Sequence, residues 1–139
     1  IGEPPMNILK AKVLKTETHL TFEILNDKDE KNFSIKYSNN ELKKENLNKI
    51  ANEQIITLGI RPHKINFNKE ITNLEGKAES STYHWLGDQV HIGIEIGGSS
   101  IISVADRNFQ PSSDIKMHFP SESINAFNRD SEEVIFNGI

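Results

Sequence analysis

VHIGIEI, residues 90–96, is the segment that decides the fold of this chain. Branched aliphatic residues occupy every second position, and the positions between them hold polar residues or glycine. Successive side chains of a β-strand point to opposite faces, so this alternation predicts a strand with one buried face. Three other segments share the pattern, with apolar positions at Leu20, Phe22 and Ile24, at Phe33, Ile35 and Tyr37, and at Ile115, Met117 and Phe119.

Turn-forming residues separate these strands. Asn26-Asp27-Lys28-Asp29 lies between the first two, and Gly87-Asp88 precedes residues 90–96. Gly97-Gly98 follows them and leads to another apolar strand. Because glycine tolerates positive φ, this pair predicts a tight hairpin rather than a phosphate-binding loop, and no helix follows it to bind an anion. Further strands are predicted at residues 8–15, 54–60 and 75–86.

Many short strands at close spacing predict an all-β fold, a barrel or sandwich made of two small barrel-like lobes. We place the lobes at about residues 8–60 and 61–139, and no low-complexity linker divides them. Helix is predicted only at residues 40–52, capped by Asn39 or Asn40, and in a single turn after Pro120.

Composition narrows the classes of partner. The chain has no cysteine, which excludes disulfides and thiolate zinc sites, and no apolar window of about 20 residues that could span a bilayer, so we expect it to be soluble. Residues 1–77 hold 13 basic and 11 acidic groups, whereas residues 78–139 hold 3 basic and 9 acidic groups. Without clustered positive charge, we expect no nucleic-acid partner.

Signatures of catalysis are missing. A Walker A loop needs a glycine, four residues and then Gly-Lys-Ser/Thr, but Ala78 follows Gly76-Lys77 and Ile71 replaces the first glycine. No serine lies in Gly-x-Ser-x-Gly, and we interpret the adjacent Glu132-Glu133 as solvated. His84 and His91 could meet across a turn, but with no third ligand we predict no metal site. We therefore predict no catalytic residue and no bound cofactor.

Tyr83 and Trp85 stand two residues apart on one face of a predicted strand. They could stack against single-stranded bases, anchor an interface or pack in the core. Core packing is the favoured interpretation, because a small barrel needs large apolar side chains.

Three segments together resemble the ATP-binding subunits of carbohydrate-type ABC importers. Ile1-Gly2-Glu3-Pro4-Pro5-Met6-Asn7 is similar to the Gly-x-Pro-x-Met-Asn junction that follows the ATPase domain in that family. Leu58-Gly59-Ile60-Arg61-Pro62 is similar to its Leu-Gly-Ile-Arg-Pro-Glu signature, with His63 in place of the glutamate. Trp85-Leu86-Gly87-Asp88 with the strand at 90–96 resembles its strand–Leu-Gly–strand hairpin.

The resemblance implies a C-terminal regulatory domain, a transport-associated barrel of the oligonucleotide-binding (OB) type, similar to that of the maltose-importer ATPase subunit. Residues 1–7 would be the junction from the ATPase domain, which would bind ATP and magnesium, and residues 8–139 the regulatory domain. The implied partners are a second copy, the ATPase domain, a regulatory protein and, indirectly, the membrane permease subunits. The implied location is cytoplasmic, at the inner face of the plasma membrane.

We assign structural roles to the motif residues. Met6 is expected to fill the core beneath the first strand, Pro62 to fix the chain as it leaves a strand, and Arg61 to bond a nearby carbonyl or carboxylate. Pro4 would stiffen the junction. The full set is Gly2, Pro4, Met6, Asn7, Gly59, Arg61, Pro62, Leu86 and Gly87, with Tyr83 and Trp85 as interface candidates.

Two other functions stand beside that of a non-catalytic regulatory and dimerisation domain. An oxyanion- or sugar-binding barrel would need backbone amides that converge with Ser, Lys or Arg, for which Ser99-Ser100 and Lys77 are the nearest candidates. A binder of single-stranded nucleic acid would need Tyr83 and Trp85 exposed beside basic residues.

Overall fold

A computed structural model describes residues 4–67, 70–111 and 115–139 of the chain. Strands dominate these residues, so the predicted all-β class is confirmed. The strands are β1 (Asn7–Lys15), β2 (His19–Leu25), β3 (Lys31–Ser38), β4 (Ile55–Ile60), β5 (Asn66–Phe67), β6 (Leu74–Glu75), β7 (Ala78–Leu86), β8 (Gln89–Ile96), β9 (Ser99–Asp106), β10 (Met117–His118), β11 (Ile124–Phe127) and β12 (Val134–Asn137). The helical parts are α1 (Lys44–Leu47) and the 3-10 turns Asn39–Glu41, Pro62–Lys64 and Ser121–Ser123.

A seven-stranded antiparallel sheet has the order β12-β11-β4-β1-β2-β3-β6. β1 is its central strand, and its inward side chains Ala11 and Val13 are fully buried. The predicted alternation in β2 and β3 is also confirmed, because Phe22 and Ile35 are fully buried. Strands from the C-terminal part of the chain pair onto β4, and the division into lobes near residue 60 stays a prediction.

The second sheet is the antiparallel meander β7-β8-β9, with turns at Gly87-Asp88 and Gly97-Gly98 as predicted. β8 contains residues 90–96, the segment with the most regular alternation of apolar and polar residues. Its apolar residues are fully buried and the residues between them are half-buried. A small pair, β5 with β10, completes the sheets of the described residues.

Both larger sheets contribute to one hydrophobic core. The rings of Phe22 and Tyr37 in the large sheet meet edge to face, with centroids 6.3 Å apart. They belong to the same buried cluster as Ile92 and Ile94 of the small sheet. Full burial of one such side chain stabilises a fold by about 1.5–3 kcal/mol, so the hydrophobic effect is the main force that joins the sheets.

The predicted helix at 40–52 is shorter and broken in the structure. A 3-10 turn follows Ser38, whose N–H is bonded to Glu41 Oε1 at 3.2 Å, and α1 covers four residues. The cause is tertiary: the Lys43 N–H donates to the Ile139 carbonyl, and Asn46 Nδ2 donates to the Gly138 carbonyl, both at 3.0 Å. Among the described residues, no helix reaches the length and hydrophobicity that crossing a membrane requires.

Two predicted strands are also shorter than expected. The strand predicted at 75–86 breaks after Glu75 into β6 and β7. Of the strand predicted at 115–119, only Met117–His118 is a strand in the structure. Phe119 is outside it because the Asn73 side-chain amide bonds both the N–H and the carbonyl oxygen of Phe119.

Tyr37 reinforces this contact at Phe119 from inside the core. Its hydroxyl donates to the Phe119 carbonyl oxygen at 2.6 Å, and Asn73 Nδ2 donates to the same oxygen at 2.8 Å. Burial raises the pKa of the Tyr37 phenol far above its usual value. The phenol therefore stays protonated and remains a hydrogen-bond donor.

We predict that Tyr37→Phe lowers the free energy of unfolding at neutral pH by about 1 kcal/mol, since one buried hydrogen bond is lost while Asn73 still satisfies the carbonyl. Above about pH 10 the phenol ionises in the unfolded protein but not in the folded one. The free energy of unfolding of the wild type therefore falls by up to about 1.4 kcal/mol per pH unit relative to Tyr37→Phe. Urea unfolding of both proteins across this range measures the difference. Equal pH dependence in the two proteins would contradict the assignment.

Candidate functional site

Asn7, at the start of β1, joins the two sheets through its side-chain amide. Nδ2 donates to the carbonyl oxygens of Ile60 at 3.0 Å and Ile102 at 2.8 Å, and Oδ1 accepts from the Ile102 N–H at 2.8 Å. Ile60 ends β4 in the large sheet, and Ile102 lies in β9 of the small sheet. Asn7 is 8% exposed. Few side chains can donate and accept at once as an amide does, which explains the residue type here.

Gly59 brings the N-terminal segment onto β4. A Cβ at this position would lie 2.6 Å from Met6 Cε and 2.9 Å from a ring carbon of Phe127. The missing side chain therefore leaves room for both residues to cover the strand. Met6 is half-buried on the outer face of the large sheet, and not in the core beneath β1 as expected, because Gly59 offers it a place there.

Pro62 extends the same junction to the edge of the small sheet. It is buried at the start of the 3-10 turn that follows β4, and its carbonyl oxygen accepts from Ser103 Oγ at 3.3 Å. Together with the bonds from Asn7 to Ile102, this contact attaches the middle of β9 to the end of β4 and the turn that follows it. We call the contact of Met6, Asn7, Gly59 and Pro62 with β4 and β9 the Asn7 junction.

A second connection between the sheets lies at the opposite end of β9. Asn32 Nδ2 donates to Ser99 Oγ at 2.7 Å. Gly97, with φ +57°, lies so close to the Asn32 backbone that a Cβ would come within 2.1 Å of its carbonyl oxygen. The Gly97 N–H donates to a carboxylate oxygen of Glu79 at 3.1 Å. This amide is thus already bonded to a carboxylate, in agreement with a hairpin and not a phosphate loop.

The opposite edge of the small sheet is formed by β7, which pairs only with β8 among the described residues. Tyr83 is half-buried, with its ring centroid 6.0 Å from that of Phe109, and its hydroxyl lies 3.0 Å from Ser81 Oγ. Trp85 is 49% exposed. The favoured core-packing interpretation is therefore wrong for Trp85, because an edge strand has no neighbour that covers the far side of a large ring.

The other motif residues occupy turns and strand ends. Pro4 is half-buried ahead of β1, Leu86 is half-buried at the end of β7, and Gly87 has φ +70° in the turn that follows. Gly2 lies outside the described residues.

Arg61, directly before the Pro62–Lys64 turn, and Lys64, its last residue, are both exposed to solvent. In the part of the chain that the structure describes, neither side chain has a hydrogen bond or ion pair, so the bond expected from Arg61 to a carbonyl or carboxylate is not formed there. They border a cavity of about 300 Å³. Its other lining residues are Met6, Glu122, Asn125, Phe127 and Asn137.

The oxyanion candidates named from sequence are engaged elsewhere. Ser99 accepts the bond from Asn32, and Ser100 Oγ donates to the Glu95 carboxylate. Lys77 is exposed beside a smaller cavity of about 170 Å³. The carboxylate of Glu95 beside these hydroxyls opposes the binding of an anion.

His84 and His91 are direct cross-strand partners, as the turn predicted. His84 is exposed, and His91 is half-buried. Within residues 4–67, 70–111 and 115–139, no three His, Cys, Asp or Glu side chains come close enough together to hold a metal ion.

Sequence reasoning missed several residues that hold this arrangement. Asn32 and Asn73 bind backbone or side-chain atoms far along the chain, at Ser99 and Phe119. Each stands at the end of a strand pattern, where it resembles an ordinary turn asparagine. No local signal separates an asparagine that caps its own turn from one that binds a distant strand.

Comparisons with known proteins bear on the fold. No protein-family model matches the sequence, and no curated protein does. Among solved structures, the fold is similar to that of ModG, a cytoplasmic molybdate-binding protein crystallised with molybdate bound. The TM-score is 0.55 with 10% sequence identity, over 86% of this chain and 94% of that chain. The chain thus has an all-β, OB-like fold.

We predict that Asn7→Ala lowers the free energy of unfolding by about 2–4 kcal/mol, because both backbone groups of Ile102 lose a partner in a partly buried place. Asn108→Ala, in an exposed turn, is the matched control and should change stability by less than about 0.5 kcal/mol. Urea unfolding measures both variants. A similar decrease in the free energy of unfolding of both variants would show that the Asn7 junction contributes no more to stability than an exposed turn.

Proposed function

We propose that this chain is a non-catalytic regulatory and dimerisation domain from the ATP-binding subunit of an ABC importer for carbohydrates. The observation that carries the proposal is the Asn7 junction. Met6-Asn7 and Gly59 to Pro62 belong to two separate segments that resemble this family. In the structure they contact each other, because Asn7 Nδ2 donates to the Ile60 carbonyl oxygen and the Met6 side chain lies against Gly59. A chance resemblance in two segments would not be expected to place both at one contact.

The junction suggests how such a domain would act. Asn7 bonds the chain to both sheets as soon as it enters the fold, so a domain attached ahead of residue 4 would be connected through a short, fixed segment. Pro4 and Pro5 restrict the φ angles of that segment further. Movement of the attached domain would then be passed to the barrel as a rigid displacement.

Association of two such barrels would keep two ATPase domains near each other when no nucleotide joins them. A tether of this kind raises the effective concentration of one domain near the other without any new contact between them. On this proposal ATP and magnesium bind in the ATPase domain, and this chain binds no cofactor. The partners would be a second copy, the ATPase domain, a regulatory protein and, indirectly, the permease at the cytoplasmic face of the membrane.

We predict that the purified chain hydrolyses no ATP above background and self-associates as its concentration rises. Sedimentation velocity over a dilution series measures the association, and phosphate release measures hydrolysis. A chain that remains monomeric at every concentration would remove the dimerisation role, and ATP turnover would remove the non-catalytic one.

A second candidate function is the binding of a small oxyanion. Arg61 and Lys64 favour it, since these exposed cations border one cavity together with Asn125 and Asn137; Asn125 Nδ2 already donates to the Gly59 carbonyl oxygen at 3.2 Å. Guanidinium, ammonium and amide groups are donors that suit a tetrahedral anion. The likeness of the fold to ModG, a molybdate-binding protein, points the same way. Glu122 lines the cavity too and weakens the case.

Calorimetric titration with molybdate, tungstate and phosphate tests this candidate. If the cavity binds an oxyanion, the wild type should give saturable heat, and Arg61→Gln should reduce the affinity about tenfold or more, while Arg107→Gln, at an exposed turn that does not line the cavity, should leave it unchanged. Flat traces with the wild type would eliminate the candidate.

A further inference from the structure

We infer that two copies of this chain associate by antiparallel pairing of β7 with β7 of the second copy. The inference rests on the dimerisation proposed above and names the surface responsible for it. The small sheets of the two copies would then form one six-stranded sheet, in the order β9-β8-β7 and its symmetry mate.

The two edges of the small sheet differ in how they are covered. Along β9, the Asn7 side chain bonds both backbone groups of Ile102, and the Pro62 carbonyl bonds Ser103. Along β7, the described residues supply no second strand. In the part of the chain that the structure describes, no backbone hydrogen bond reaches the groups that β7 turns away from β8, so another strand could pair with them.

β7 lacks the features that keep edge strands apart. Proteins usually protect an open edge with lysine, proline or a strong bulge. β7 contains no lysine and no proline, and its one irregularity lies at its start, between Ala78 and Ser80. Seven residues, Ser80 to Leu86, form a regular strand that is open on one side.

Trp85 adds an apolar contribution at this edge. It lies opposite Val90, on the face of the sheet that turns toward the core, yet about half of it is exposed. Tyr83 lies on the same face, opposite Ile92. A second β7 would cover the solvent side of both rings, and buried Trp and Tyr are the residues that contribute most often to interface energy.

The charge pattern favours a second copy over a charged partner. In a two-fold antiparallel pair, residues that share a face stand opposite each other, so a charge near one end of the strand meets the other end of its copy. If the axis passes near Thr82 or Tyr83, Glu79 lies opposite Trp85 or Gly87 and never opposite another Glu79. With the axis at Thr82, the middle residue of the strand, Thr82 faces its own copy and Ser81 faces Tyr83, and these residues are neutral.

Charge also argues against single-stranded nucleic acid on this surface. The exposure of Trp85 meets one requirement of that hypothesis. However, the strands β7, β8 and β9 contain no lysine or arginine, and they carry Glu79, Glu95 and Asp106. A phosphate backbone would meet net negative charge beside the rings.

Size sets the expected strength of the contact. A single pair of strands with two aromatic residues on each side buries less than the roughly 1,200 Å² of a standard interface. We therefore expect reversible association that depends on concentration. Trp85 is the only tryptophan, so its fluorescence reports burial of this edge without any label.

The test uses opposite charges at one exposed position. Thr82→Lys and Thr82→Glu each place like charges near the two-fold axis, and each should weaken self-association about tenfold or more. An equimolar mixture of the two variants should associate at least as well as the wild type. Sedimentation velocity measures association, and the Trp85 emission should shift to shorter wavelength as the wild type, or the mixture, is concentrated.

Ser100→Lys is the matched control, since it places the same charge on the other edge strand of the same sheet, opposite Glu95. It should associate like the wild type, and far-UV circular dichroism checks that each variant is folded. If the wild type associates but Trp85 emission does not shift and Thr82→Lys associates normally, the surface is wrong and the dimerisation proposal stands. If the wild type is monomeric throughout, both fail.

Discussion

The side-chain amide of Asn7 fixes how the two sheets are aligned on each other. Three hydrogen bonds from one residue hold the end of β4 and the middle of β9, so the two sheets are fixed to each other at the point where the chain enters the fold. The hydrophobic core attracts the sheets, but apolar contact has no direction and does not by itself select one alignment. The amide does, because its donor and its acceptor must each find a partner away from water.

This constraint makes the small sheet asymmetric. Both β7 and β9 are edge strands among the described residues, but the Asn7 side chain bonds the backbone of Ile102 in β9, and the Pro62 carbonyl oxygen accepts from the Ser103 side chain. An OB-type barrel that closes fully would remove both edges. The β7 edge is where we propose that a second copy binds, because the described residues provide no further strand there.

Function in such a domain cannot be taken from the fold. OB-type barrels serve many purposes, and the likeness to ModG at 10% identity concerns the path of the backbone. The proposals therefore depend on sites: the Asn7 junction and the β7 edge for a scaffold, and the cavity beside Arg61 and Lys64 for a small anion. The β7 edge and the cavity share no lining residue, whereas Met6 belongs to both the Asn7 junction and the cavity.

The sequence alone determined the clearly alternating strands and their buried faces, because alternation is a local property: Val90 to Ile96 and Leu20 to Ile24 needed no distant contact to be assigned. It also located the residues of the Asn7 junction, although not what they touch. It did not predict β5, β11 or β12. The tertiary structure was needed to show which strands lie at the edge of a sheet and which residues depart from the predicted pattern. Met6 lies outside the core because Gly59 leaves space for it, and Trp85 is exposed because β7 ends a sheet. The helix at 40–52 is short because the Lys43 N–H and the Asn46 side chain are bonded to Ile139 and Gly138. Each of these depends on residues far apart in sequence, whose meeting no local pattern encodes.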